Sequence, residues 1–174
     1  MVSLNKIAVG LLGFVIIGIS LYMIHRNNPS KTLVVEQTET EHSVGEFHNL
    51  IPFTLGRISL LGSIADTDAE RAKGLSDTKE IPAGVAKVFI FETSGLWSFW
   101  MKDMNYPIDI FWLDENGYVV HVVEEVSPDT YPDISFAPTT PAKYVIETKA
   151  GFAKENNIGV GAIAGMTQIL KGRQ

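Results

Sequence analysis

Residues 98–111 carry the side chains best placed for chemistry, because Lys102, Asp103 and Asp109 sit among Phe99, Trp100, Tyr106 and Phe111. In an extended segment alternate side chains face opposite ways. Ser98, Trp100 and Lys102 therefore share one face, and Trp97, Phe99, Met101 and Asp103 the other. An indole beside an ammonium can stack on a sugar or planar ligand while the cation holds its polar edge. Trp97, Trp100 and Trp112 would equally suit plain packing of a sheet face. Asp109 falls with Phe111 and Leu113 on an apolar face, where an unpaired carboxylate is costly. Arg71 and Lys102 are the candidate partners, Arg71 because a helical guanidinium can bind a carboxylate through two nitrogens. The set reads first as a structural ion pair. Its alternative is an acid or base at Asp109 tuned by Lys102 and Arg71.

Other chemistries find little support. The chain has no cysteine, which excludes disulfides, thiolate metal sites and a cysteine nucleophile. His25, His42, His48 and His121 show no metal-ligand spacing, and no metal or cofactor is expected. Glu124 and Glu125 are adjacent on a strand pattern and would point apart, so they make a poor acid–base pair. His121, between Val119 and Val123 on its own face, reads as structural, and no serine has a nucleophile-elbow pattern around it. Setting aside Lys6 and Arg26 leaves 12 Lys or Arg against 20 Asp or Glu, a net charge near −8 that argues against a nucleic-acid partner.

The elements that must position these residues can be traced along the chain. Residues 57–64 (RISLLGSI) have strand composition, and Thr67 with Glu70 forms a capping box that opens a helix over 68–75. Strands are expected at 87–91, 96–102, 108–114, 118–126 and 142–150, with a terminal strand over 162–170. Asn116-Gly117 marks a hairpin between the third and fourth of these. Pro128, Pro132, Pro138 and Pro141 punctuate a loop, and a brief helical turn is expected at 152–156. The fold class is α+β, with a mostly antiparallel, strongly curved or barrel-like sheet and two short helices.

One transmembrane helix is expected to precede that domain. Residues 7–24 (IAVGLLGFVIIGISLYMI) are uncharged and apolar on every face, near the minimum length for a bilayer span. A cleaved signal peptide is the rival, but its only small-residue site, Gly18 to Ser20, lies within the apolar run. The expected organisation is a membrane anchor at 1–26, an acidic tether at 27–46 and a globular domain at 47–174, placed outside the cytoplasm. That makes it a single-pass membrane protein.

Several of these residues also form family landmarks. Residues 57 to about 163 resemble the domain of unknown function 192 family, a set of small, often exported proteins. Glu70, Arg71, Gly74 and Leu75 are similar to its E-R-x-x-G-L helix, and residues 99–104 (FWMKDM) to its F-W-M-K-N-T signature. Residues 107–110 (PIDI) match its P-L-D-I, and 141–147 (PAKYVIE) with Ala150-Gly151 its later landmarks. The chain departs from the pattern at Ser76-Asp77-Thr78, Ala86-Lys87, Asp103-Met104 and Gly161-Ala162. The resemblance carries over Arg71, Trp100, Lys102, Asp109 and Glu147 as ligand-binding candidates, and implies shared architecture more than a shared activity.

Two functions follow as expectations. One is a membrane-tethered extracytoplasmic module that binds a small polar ligand, a glycan or an envelope component through the Trp100 and Lys102 face, without catalysis. The other is an enzyme of uncharacterised class, hydrolysis included, built on Asp109 with Lys102 and Arg71.

Overall fold

A computed structural model describes residues 42–171. The expected membrane segment at 7–24 and most of the expected tether lie outside them. No helix among the described residues is long and apolar enough to cross a membrane.

Eight strands and three short helices follow in the order β1 (His42–Val44), β2 (Phe47–Leu55), β3 (Ile58–Ala65), α1 (Asp68–Lys73), β4 (Val85–Gly95), β5 (Ile108–Leu113), β6 (Val119–Val126), β7 (Ala142–Lys149), α2 (Phe152–Asn156), β8 (Ala164–Gly165) and α3 (Thr167–Leu170). The spatial order of the sheet is β1-β2-β3-β4-β7-β5-β6, with β8 added on β2. It is a mixed sheet, because the crossover through α1 brings β4 back parallel to β3 while the other pairs run antiparallel. No continuous ladder joins β6 to β1. The sheet is mostly antiparallel, as expected, with the parallel β3–β4 pair making it mixed, and the expected closure toward a barrel is corrected to an unclosed sheet.

Both faces of the central strands are covered. All six residues of β5 are buried. Phe111 and Leu113 enter one core with Val88, Ile146 and the α2–α3 residues Ala153 and Ile169. Ile110 and Trp112 enter a second core with Phe89, Val145, Leu75 and Met101 on the other side. Two-sided burial explains why β5 reads as continuous apolar sequence rather than as alternation.

Local signals transfer well. Thr67 and Glu70 make the reciprocal capping box at the start of α1. The β5–β6 turn is held by Asp114, whose carboxylate accepts from the amides of Asn116 and Tyr118 at 2.9 Å. Only Gly117 takes a positive φ (83°), and a Cβ there would meet the Ala164 carbonyl oxygen at 3.0 Å.

Three expectations change. Two strands, β1 and β2, the latter with a Pro52 that weakens its strand signature, precede the strand expected first. Residues 96–102 keep the alternating exposure but form no strand, and among the described residues they pair through one bridge, Phe99 to Phe136. The terminal segment forms two residues of strand and then α3, which buries Ile169 while Met166, just ahead of the helix, is buried three positions earlier.

Candidate functional site

The second core is not completely filled. Between α1, the far half of β4 and the 96–104 loop lies a cavity of about 240 Å³, walled in part by Arg71, Ser76, Phe91, Trp97 and Trp100, with Glu147 among its lining residues. Its two sides are tied together. Ser76 Oγ donates to the Lys102 carbonyl at 2.8 Å, the Asp77 amide to the Asp103 carbonyl at 2.8 Å, and Asn105 Nδ2 to the Thr78 carbonyl at 2.8 Å. Asp103 adopts φ 56°, which turns the loop toward these contacts.

The aromatic wall is built by β4 and the loop that follows it. Phe91 and Trp97 stack with centroids 4.2 Å apart and planes 7° apart, and Phe89 meets Phe99 edge to face at 4.8 Å. A Cβ on Gly95 would lie 3.0 Å from Trp97 Cε2, so a glycine is what lets the indole fold back onto Phe91. Trp97 Nε1 is buried with no hydrogen-bond partner. Trp100 is 54% exposed at the cavity's edge.

Charges in and around the wall differ in how well they are satisfied. Arg71 donates to the Asp66 and Ile90 carbonyls, pairs with Asp68, and lies 5.4 Å from the Phe91 ring centre. Lys87, directly across the ladder from Glu147, turns away to donate to Ser63 Oγ at 3.2 Å and the Ile64 carbonyl at 3.4 Å. Burial pushes its ammonium below the ordinary lysine range, while Glu70 and Glu147 pull it back up. Glu147 is only 5% exposed, and its Oε2 has no hydrogen-bond partner. Burial lifts its carboxyl to about 8, with the Lys87 charge opposing the shift. A neutral carboxylic acid can both donate and accept, whereas its ionised form only accepts.

The residues singled out in the sequence separate into two places. Arg71, Trp100 and Glu147 meet at the cavity, while Lys102 is exposed outside its lining and meets the site only through its carbonyl. Asp109 is fully buried on the opposite side of the sheet. It accepts from the amides of Glu125 (2.8 Å), Gly151 (3.2 Å) and Ala153 (2.9 Å). The expected ion pair with Arg71 or Lys102 is therefore replaced by three backbone donors, two of them at the start of α2. Asp109, Lys102 and Arg71 do not assemble into one constellation.

Phe91, Trp97 and Lys87 were not anticipated as site residues. Trp97 shares the less exposed side of the loop with Phe99 and Met101, the face that alternation gives it, and stacks on Phe91 where Gly95 leaves room. Lys87 carried a signal of its own, a charge inside the otherwise apolar run at 85–91.

Known proteins bear on the fold. A solved structure of a protein of unknown function from Novosphingobium aromaticivorans is similar to this chain with a TM-score of 0.65 at 22% identity, covering 78% of this chain and 99% of its own. Another, from Sinorhizobium meliloti and described provisionally as a transcription regulator, gives 0.63 at 20% identity, covering 66% of this chain and 92% of its own. At those identities the likeness extends to architecture. No curated protein matches the sequence. The model of the DUF192 family, described as an uncharacterised group, matches residues 57–164, a span that holds α1, β4, β5 and β7. The chain belongs to the DUF192 family.

Proposed function

We propose that this protein is a binding module whose cavity takes up a small polar ligand. The observation that supports it is Glu147, a nearly buried carboxyl in the cavity lining whose Oε2 lacks a partner. Buried polar groups are ordinarily satisfied, and one left open beside an aromatic-lined hollow is suited to a ligand that completes it. Trp100, half exposed at the edge, supplies a ring on which the ligand's apolar face rests. Sugars and other hydroxylated molecules combine such a face with donors and acceptors. In this reading the apolar segment at 7–24 anchors the chain in a membrane and the module works outside the cytoplasm, facing envelope components.

A thermal-shift screen of the full chain against saccharides, polyols, amines and nucleotides tests the reading. A ligand of this cavity raises the melting temperature by several degrees when it is far above its Kd, and Trp100→Ala reduces that rise. Shifts that survive both Trp100→Ala and Glu147→Leu unchanged would place binding elsewhere and contradict it.

A further inference from the structure

Taking the cavity as a ligand site, we infer that its ligand presents a primary ammonium to Glu147 and rests the rest of its body against the aromatic wall. The inference depends on the binding reading and narrows it to a chemical class.

The charges around the cavity differ in how far they are satisfied. Arg71, which faces the cavity from α1, is already engaged by two carbonyls, by Asp68 and by the Phe91 ring. Lys73 on α1 also lines the cavity, and Glu70 on the same helix is committed to the capping box, accepting from Thr67 and Asp66. Lys87 on β4 is the cross-strand neighbour of Glu147, yet its ammonium is spent on Ser63 and Ile64. From β5, the neighbour of Glu147 is the uncharged Ile110. Lys73 is exposed to solvent, so Glu147 is the buried ionisable group of the wall left without a hydrogen bond at Oε2, and it is an acid.

An acid in a poorly hydrated wall ionises when a cation with N–H donors meets it, because the charge-assisted bonds replace the lost water. A bare divalent ion is a poorer match, since it needs several oxygen ligands and no group of three metal-binding side chains occurs among the described residues. The apolar and aromatic surroundings favour an ammonium carried on a carbon body over a small hydrated ion. The acid form of Glu147 must give up its proton as the ligand binds, so binding and deprotonation are coupled.

The test compares glucamine with sorbitol, the same polyol with and without the amine, by titration calorimetry on the full chain. The amine of glucamine stays protonated up to pH 8, so the pH dependence reports on the protein. Glucamine is expected to bind more tightly than sorbitol, to gain roughly tenfold in affinity from pH 6 to pH 7, and to release a proton measurable by changing the buffer. Glu147→Gln should abolish the preference for the amine. Lys87→Met, which removes the charge that favours ionised Glu147, should move the pH profile upward. Sorbitol binding as well as glucamine at pH 8, or glucamine binding without proton release, overturns the inference and leaves the cavity reading standing. If neither binds, the inference falls, and the cavity reading is decided by the thermal-shift screen.

Discussion

Two acidic residues show how the same chemistry serves different ends in this molecule. Asp109 is ionisable, buried and fully supplied with donors, so it belongs to the fold. Asp109→Ala would strand three amides and is expected to cost about 3 kcal/mol or more, with Asp109→Asn milder, as read from urea denaturation midpoints. Its burial was legible in the sequence as a carboxylate on an apolar face. Its partners were not, because backbone amides carry no signature in a sequence and two of the donors lie more than 40 residues away. Glu147 is the opposite case, buried and unsupplied. The folded chain holds the Glu147 proton to about 8 whereas the unfolded chain releases it near 4.5, so the folded state binds more protons in between. Stability should accordingly fall as pH rises from 4.5 to 8, with a slope of up to ~1.4 kcal/mol per pH unit from this group, and Glu147→Gln should remove that slope. Glu70 acts in the other direction, its carboxylate held down to about 2 by the Thr67 amide and hydroxyl, so its contribution fades as pH falls below 4.5.

At the level of elements, what is local could be read and what is distant could not. The α1 capping box, the turn before β6 and the α2 span follow from a few neighbouring residues. The parallel pairing of β3 with β4, and the bridge that fixes Phe99 beside Phe136, depend on segments brought together from afar. The same is true of the cavity, whose wall forms because β4 ends at Gly95 and the chain doubles back. Gly95→Ala is therefore expected to push the Trp97 indole off Phe91, changing near-ultraviolet circular dichroism and weakening ligand binding while the far-ultraviolet spectrum stays that of the native fold. A native near-ultraviolet spectrum with undiminished binding would mean that the stack does not shape the site.

The described residues form a mixed sheet covered on both faces, and the division of labour follows from it. One face, closed by α2 and α3, is anchored through Asp109 and packed with Phe111, Leu113 and Ile169. The other, covered by α1 and the 96–104 loop, packs Trp112, Phe89 and Met101 but leaves a hollow beside Glu147. The sequence foretold a sheet-dominated domain. Two-sided burial masked the alternation that would have told the faces apart, so Glu147 entered only through its family landmark. Titration of that one carboxyl, followed by nuclear magnetic resonance of its side-chain carbon in the full chain with and without glucamine, is the most direct test. The prediction is a midpoint near 8 in the free protein that drops when glucamine is added. A midpoint near the ordinary 4.5, unmoved by glucamine, would contradict it.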